Sequence, residues 1–323
     1  MAIEELTLYY FPGSYYSQRV LFYLRARSIP FKGRYVNILL GETYEPWYMR
    51  MNPKGQVPVI KHRGGYLADS CAIMQYLEKE YDTPPKLLPA ASTPQREEAL
   101  RFTDLINSIK IEVITYGIIS FPHLSQGGML VGKFQKLMEW RAKSMGQYTP
   151  FLERYKAKSP DLEDVYNQKE KDLSEFYAQF RDEATVQRAI DGAQNVLDEL
   201  EDTLGKRKEG ECWLCGPDMT VADVNLAILI GRLDSAGIGY MFWKNGKRPN
   251  IEAYFHRLKK NDVYKAVCEI NPFLGIFLPL VKKKLPSILG ISAVLAMIAV
   301  AVYFWRKGEI DLNTIVEKVQ FWK

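Results

Sequence analysis

The stretch that decides the fold is NPKGQVPVIKHRGGYLADSCAIMQYLEKEY, residues 52–81. Within it, VPVIKHRGGYLAD predicts two short strands joined at Gly64-Gly65, a dipeptide that is typical of hairpins. The next segment, SCAIMQYLEKEY, predicts a helix because its apolar residues recur at helical spacing, with an inward face formed by Ala72, Ile73, Tyr76 and Leu77.

The residues before this stretch complete a domain. LTLYYF is strand-like, and residues 17–28 have a helical apolar pattern that ends at Ile29-Pro30. GRYVNIL, residues 33–39, is a second strand candidate. The order strand, helix, strand, hairpin, helix predicts an α/β domain over residues 1–82.

Size and charge set broad limits on the kind of protein. The chain has 323 residues, which suggests about two domains, and its net charge of +5 does not by itself indicate a nucleic-acid partner. The first residues, MAIEELTLYYF, contain two acids and no basic n-region, so we expect the N-terminal body to stay in the cytosol. Four cysteines in such a chain are expected to be reduced thiols.

The second half of the chain has helical patterns. Fold helices are expected within residues 94–120 and 186–205. Thr220 and Asp223, three residues apart before an apolar run, have the spacing of a capping box. A helical domain is therefore predicted over residues 95–268.

Residues 121–185 form an insertion of about 65 residues in this domain, longer than an ordinary connection. Ser159-Pro160-Asp161 predicts the start of a helix as cap, first helical residue and first-turn acid. The inward face of that helix is predicted to contain Leu162, Val165, Lys169, Leu173 and Phe176. The insertion is either a solvated accessory helix or a surface that binds protein partners.

Cys212 and Cys215 in CWLC have the spacing of a redox dithiol or of half a zinc site. They lie outside the α/β domain, where a thioredoxin-type dithiol would belong. No second cysteine pair or histidine cluster is near them in the sequence. We therefore interpret CWLC as a packing element and expect no metal.

The C-terminal part predicts a transmembrane helix. LPSILGISAVLAMIAVAVYFW, residues 285–305, carries no charge and is long enough to cross the ~30 Å hydrocarbon layer of a bilayer. Basic residues flank both ends, and Tyr303 and Trp305 lie where interfacial aromatic residues are found. This predicts a tail anchor followed by a short tail, residues 306–323. The apolar segment 269–284 either lies at the membrane surface or packs on the body.

The N-terminal pattern resembles the thioredoxin-like domain of cytosolic glutathione transferases. NPKGQVPVI is similar to their asparagine-proline…valine-proline segment, and LADSCAIMQYL is similar to their acid-serine segment. The helical half, with its threonine-x-alanine-aspartate motif, resembles the second domain of the same family. The glutathione-binding residues that this resemblance implies are Gln56, Val57, Pro58, Asp69 and Ser70.

The resemblance also implies a role for each part of this set. Pro58 follows a cis peptide bond, and the backbone of Val57 faces the cysteinyl part of glutathione. Asp69 and Ser70, at a helix start, suit the ammonium and carboxylate of the γ-glutamyl end. Capping of the helix by Asp69 or Ser70 is a simpler interpretation that is compatible with ligand contact.

Transferase chemistry requires a hydroxyl that donates to the glutathione sulfur and favours the thiolate. Two residues of LYYFPGSYYSQRV match family members: Tyr10 aligns with tyrosine-type enzymes, and Ser14 aligns with serine-type enzymes. Arthropod transferases have a string similar to YYFPGS and use the serine, so we favour Ser14. The alternative is that Tyr10 packs in the strand and Ser14 only caps the helix.

The combination of a transferase body, an insertion and a tail anchor resembles the ganglioside-induced differentiation-associated protein family. Matching phrases include EPWYMRMNPKGQVPVI, WLCG and NGKRPN. The resemblance implies a mitochondrial outer-membrane protein that faces the cytosol, influences fission and network shape, and takes part in redox handling. It is compatible with a homodimer. The alternative function is an active membrane-anchored glutathione transferase acting on apolar electrophiles.

Overall fold

The structure is a computed structural model that describes residues 5–128, 148–208 and 212–269. The predicted anchor 285–305, the tail 306–323, the segment 269–284 apart from Glu269, and part of the insertion lie outside these residues. Among the helices in the described ranges, none combines the length and the apolar character needed to cross a membrane.

The N-terminal domain is built on a four-stranded sheet with the order β2-β1-β3-β4. β1 and β2 are parallel, whereas β3 is antiparallel to both β1 and β4. The strands are β1 (Thr7–Tyr10), β2 (Lys32–Tyr35), β3 (Val59–His62) and β4 (Gly65–Ala68). The predicted order of elements along the chain is confirmed, and so is the hairpin at Gly64, which takes a positive φ of 74°.

Three helices belong to this sheet: α1 (Tyr15–Ala26), α2 (Pro46–Met51) and α3 (Ser70–Glu80). The prediction of residues 17–28 for α1 was two residues late at each end, because Ser14 rather than a later residue caps the helix. The predicted second strand, 33–39, ends earlier at Tyr35. On α3 the fully buried residues are Ile73, Met74 and Leu77, so Met74 rather than Tyr76 completes the inward face.

The C-terminal domain is helical in the described ranges. Its helices are α4 (Pro94–Asn107), α5 (Ile111–Ser120), α6 (Thr149–Lys158), α7 (Glu163–Phe180), α8 (Glu183–Gly205), α9 (Val221–Ser235), α10 (Gly239–Phe242), α11 (Pro249–Leu258) and α12 (Asp262–Cys268). Residues 94–120 thus contain two helices, which break where Lys110 leaves helical geometry with ψ 64°. α8 begins before residue 186 because Asp182 accepts a hydrogen bond from Thr185 N at 3.1 Å and caps the helix.

The two domains share one apolar core, in which α1 packs against α3, α9 and α12. Arg19 of α1 is only 2% exposed inside this core, and its Nε donates to Asn225 Oδ1 of α9 at 2.6 Å. Asn225 Nδ2 in turn donates to Thr103 Oγ1 of α4 at 3.3 Å. Because a buried charge needs a partner, these bonds fix how the two domains meet.

The predicted capping box at α9 is present and extends into a larger network. Asp223 is 1% exposed, and its carboxylate accepts hydrogen bonds from Thr220 N at 2.8 Å and Thr220 Oγ1 at 2.9 Å. It also accepts from Leu214 N at 2.7 Å and from Tyr254 Oη of α11 at 2.9 Å. One carboxylate therefore joins the start of α9, the CWLC segment and α11.

We predict that Asp223→Ala lowers the free energy of unfolding by about 3–5 kcal/mol, because it leaves several buried donors without an acceptor. The matched control is Asp218→Ala, which alters an exposed aspartate in the same segment and should change stability by less than about 0.5 kcal/mol. Urea unfolding of both variants measures the difference. Equal stability of the two variants would contradict this role for Asp223.

The predicted insertion 121–185 forms a second, smaller core against the N-terminal domain. Met49 of α2 is fully buried in it, and the other buried members are Leu152, Leu162, Tyr166, Leu173, Tyr177 and Phe180. The expected helix start is confirmed, with Ser159 as N-cap, Pro160 as first helical residue and Asp161 in the first turn, but this turn, Pro160–Leu162, is 3₁₀ and α7 follows from Glu163. Of the predicted inward face, Leu162, Lys169 and Leu173 are buried, whereas Val165 and Phe176 lie at its margin.

Lys169 on α7 is a buried cation, 6% exposed, in the contact with the N-terminal domain. Its Nζ donates to the Lys54 carbonyl oxygen at 2.6 Å and lies 5.6 Å from the centre of the Tyr44 ring. Burial lowers the pKa of Lys169 to about 8, while the charge of Asp172 on the same helix acts in the opposite direction. The folded state therefore holds this proton less tightly than the unfolded chain does.

From this pKa we predict a pH-dependent stability difference between the wild type and Lys169→Met. Between pH 8 and 10 the unfolded lysine retains a proton that the folded lysine has lost, so the free energy of unfolding of the wild type rises relative to the variant. The slope is at most about 1.4 kcal/mol per pH unit. Urea unfolding at several pH values measures it, with Lys171→Met as the exposed control. A difference that does not vary with pH would contradict the depressed pKa.

Candidate functional site

The register of the sheet brings the predicted site residues to one edge. Tyr9 of β1 pairs with Val59 of β3, and Val59 pairs with Ala68 of β4. The end of β1, the start of β3 and the end of β4 are therefore neighbours. The turn before α1, the segment before β3 and the start of α3 all leave the sheet at this edge. The Val57–Pro58 peptide bond is cis, as the resemblance implied.

Ser14 lies where the turn after β1 enters α1. Its N–H donates to the Phe11 carbonyl oxygen at 2.9 Å, and its Oγ accepts from Ser17 N at 3.3 Å. The Ser14 side chain is half-buried, and its hydroxyl proton is not used in this cap. Ser17 is fully buried and accepts from Phe11 N at 3.4 Å, so it stabilises the turn instead. The Ser14 hydroxyl can therefore cap α1 and donate to a ligand at the positive helix end.

A residue from the other domain also holds this turn, and the sequence did not indicate it. Arg232 of α9 donates through Nη2 to the Gly13 carbonyl oxygen at 2.8 Å and to Gln18 Oε1 at 3.3 Å. Gln18 Nε2 also donates to the Val267 carbonyl oxygen of α12 at 3.3 Å. In the sequence, Arg232 is only a basic residue in the last turn of a helix, which is typical of a helix-dipole partner.

Tyr10 points away from this edge. Its ring covers Gly33 of β2, where a Cβ atom would lie only 3.0 Å from Tyr10 Cε1 and 3.5 Å from the hydroxyl. Gly33 is paired with Leu8, two residues back along the strands from the end of β1. The two candidate hydroxyls are thus separated by orientation: that of Ser14 lies at the edge, and that of Tyr10 lies over the sheet.

The segment before β3 presents backbone groups at the edge. The Gln56 carbonyl oxygen accepts from Tyr48 Oη at 2.7 Å and from Asn52 Nδ2 at 2.8 Å, while the Gln56 side chain is exposed. Val57 is 7% exposed, yet its N–H and C=O make no hydrogen bond to any part of the chain that the structure describes. Buried backbone groups are nearly always paired, so an extended peptide ligand is the chemical complement of Val57.

The start of α3 lies next to this segment, because β4 pairs with β3. Asp69 has a φ of 75° and caps the helix, because its Oδ1 accepts from Cys71 N and Ala72 N at 2.9 Å each. This strained conformation in a non-glycine residue is often found at ligand sites. Ser70 is 3% exposed, and neither its N–H nor its Oγ has a hydrogen-bond partner within the described ranges. The expected capping by Asp69 is confirmed, and it leaves Ser70 available to a carboxylate.

A tyrosine–carboxylate pair joins α1 to the helical domain two residues after Ser14. The Tyr16 hydroxyl donates to Glu112 Oε1 of α5 in a short hydrogen bond. Burial, with Glu112 as a further cause, raises the pKa of Tyr16 well above its ordinary value. Tyr16 therefore stays a neutral donor at neutral pH and ties α1 to α5.

CWLC is a packing element in the described fold. Cys215 is 3% exposed, and burial raises its pKa to about 12, which makes a poor thiolate. Its carbonyl oxygen accepts from Gln95 Nε2 of α4 at 2.9 Å, and Cys212 is exposed and forms no disulfide with the described cysteines. Across residues 5–128, 148–208 and 212–269, no group of His, Cys, Asp and Glu side chains is arranged to hold a metal ion.

Two family descriptions match the chain. Residues 8–85 match the N-terminal domain of glutathione S-transferase, and residues 183–257 match its C-terminal domain. Ganglioside-induced differentiation-associated protein 1-like 1 of Mus musculus is 30% identical over 318 residues, which cover 93% of this chain and 85% of that protein. Glutathione S-transferase TCHQD of Arabidopsis thaliana is 26% identical over 263 residues, covering 81% of this chain and 89% of that protein.

Among solved structures, the beta-etherase LigF of Sphingobium sp. strain SYK-6 superimposes with a TM-score of 0.61 at 20% identity, covering 82% of this chain and 98% of that chain. That likeness shows the fold: a thioredoxin-like α/β domain followed by a helical domain. The match to the first relative extends over almost the whole chain. The chain therefore belongs to the ganglioside-induced differentiation-associated protein family and has the two-domain fold of glutathione transferases.

Proposed function

We propose that this protein binds glutathione at the edge of its thioredoxin-like sheet. The observation that carries the proposal is the buried Val57, whose backbone N–H and C=O are unused beside a cis proline. The cysteinyl part of glutathione is a peptide that can pair with them as an added strand. The γ-glutamyl carboxylate then meets Ser70 and the N-terminus of α3, and its ammonium meets Asp69.

An active transferase is the second candidate function, and the placement of Ser14 favours it. A glutathione thiol pKa of about 8.5 must fall by roughly one to two units, a change of about 1.4–2.7 kcal/mol. A neutral hydroxyl at a helix N-terminus favours a thiolate in this way. Ser14 is oriented for this role, whereas the Tyr10 ring lies over Gly33. The relative named Glutathione S-transferase TCHQD supports the same chemistry.

The test of this site combines calorimetry with turnover of a general electrophile. We expect the wild type to bind glutathione, and Ser14→Ala to reduce turnover about a hundredfold, as loss of one oxyanion-hole donor does. Tyr10→Phe is the matched control and should retain turnover. Glutathione binding without turnover in the wild type would support a scaffold or sensor. Absence of binding would overturn the proposal, and loss of turnover in Tyr10→Phe alone would transfer the role to Tyr10.

The proposed cellular function is regulation of mitochondrial fission, network shape and redox handling from the outer membrane, with the body in the cytosol. Residues 285–305 would insert into the bilayer, and the insertion 121–185 would offer a surface to protein partners. The relative that matches 93% of this chain supports this assignment, because the match extends well beyond the two transferase domains. A homodimer is part of the proposal.

We predict that a charge in the middle of residues 285–305 removes both the localisation and the effect on mitochondria. Leu295→Arg should cost about 2.5–3.5 kcal/mol of insertion free energy and release much of the protein to the cytosol. Leu295→Ile is the matched control. Replacing Arg306 and Lys307 with Ser should shift part of the protein to the endoplasmic reticulum.

Fractionation and protease treatment of intact mitochondria measure the localisation and topology of the protein. The shape of the mitochondrial network in the same cells measures its influence on mitochondria. Wild-type protein that is soluble, or that resists protease on intact mitochondria, would contradict this topology. A normal effect of Leu295→Arg on the network would show that the proposed anchor is not needed.

A further inference from the structure

The inserted helix α7 makes one hydrogen bond to the loop of residues 52–57, which precedes the proposed glutathione site, and another to the turn Glu42–Tyr44 before α2. Lys169 Nζ donates to the Lys54 carbonyl oxygen at 2.6 Å, and Tyr166 Oη donates to the Tyr44 carbonyl oxygen at 2.9 Å. Both side chains are buried, at 6% and 0% exposure. Each bond therefore fixes a backbone carbonyl rather than a mobile side chain.

Gly55 and Gln56, the two residues between Lys54 and Val57, are held firmly by their own contacts. Gly55, with a φ of 57°, packs so closely that a Cβ atom there would lie 3.1 Å from Met49 Sδ and 3.2 Å from the Thr43 carbonyl oxygen. The Gln56 carbonyl is held by two hydrogen bonds, as described above. Two residues, Gly55 and Gln56, separate the carbonyl that Lys169 holds from the unused backbone groups of Val57.

The chemistry of this contact is more specific than apolar packing requires. Met49 and its neighbours already bury an apolar surface between α2 and α7. A buried ammonium adds a desolvation cost that an apolar side chain would avoid. The Tyr44 ring faces the ammonium from the turn before α2, the Lys54 carbonyl faces it from the loop after α2, and Asp172 acts on it from α7. The lysine thus specifies where the loop backbone lies.

We propose that α7 is a positioning element for glutathione binding: Lys169 holds the loop of residues 52–57, and Tyr166 holds the Tyr44 turn that packs on Gly55, so that the Val57 backbone is presented to the ligand. This inference rests on the proposed function and assigns part of the glutathione affinity to the insertion. Coupling of two sites is reciprocal. A protein partner that displaces α7 therefore weakens glutathione binding, and bound glutathione stabilises the packing of α7 against the N-terminal domain.

Binding of S-methylglutathione, measured by calorimetry, tests the coupling with a probe that has the peptide backbone and no free thiol. We expect Lys169→Met to weaken binding about tenfold and Tyr166→Phe, which removes one hydroxyl, to weaken it about threefold. Lys171→Met, on the exposed side of α7, is the matched control and should bind like the wild type. Ser14 does not contact α7, so turnover per bound glutathione should be retained in Lys169→Met.

Amide hydrogen exchange in the absence of ligand provides an independent readout. Lys169→Met should accelerate exchange of the amides of residues 54–56 relative to Lys171→Met, with exchange in the β-sheet unchanged. If the wild type does not bind S-methylglutathione but Lys169→Met still accelerates exchange of residues 54–56, the proposed glutathione binding fails. The control of this loop by α7 is then still supported. If binding and exchange in Lys169→Met equal those in Lys171→Met, the inference is overturned.

Discussion

The buried guanidinium of Arg19 is the interaction on which the rest of the structure depends. It lies on α1, between the sheet and the helical domain. Its hydrogen bond to Asn225 fixes the position of α1 against α9. Leaving that charge without a partner would cost several kcal/mol, so α1 cannot turn or slide without penalty. The N-terminus of the same helix presents Ser14. The orientation of the proposed site is thus a consequence of how the two domains join.

Polar groups that reach backbone atoms recur wherever elements distant in sequence meet. Asp223 collects the start of α9, the CWLC segment and α11, while Arg232 holds the carbonyl of Gly13 beside Ser14. Apolar contacts supply most of the driving force for folding but little direction. The directed hydrogen bonds determine the relative placement of the elements, which is what a ligand site needs.

The insertion packs against α2 and α5 of the transferase fold through a core of its own. An exposed ion pair between Arg50 and Asp161 lies at the edge of this contact. Such an ion pair contributes little, so Met49 and the buried side chains of α7 hold the contact. The proposed partner surface and the proposed glutathione site thereby contact the same helix, α2, through Met49 and through Tyr48, which donates to the Gln56 carbonyl.

The sequence by itself determined the order of strands and helices, the hairpin at Gly64 and the capping box at Asp223, because these depend on residues within a few positions of one another. The resemblance to a known family correctly located the cis bond before Pro58. Only the tertiary structure decided that the Tyr10 ring lies over Gly33, and that Arg232 and Lys169 hold the backbone around the site. The hydrogen bonds of Arg232 and Lys169 reach residues 219 and 115 positions away, and no local pattern encodes which distant carbonyl a buried cation will meet.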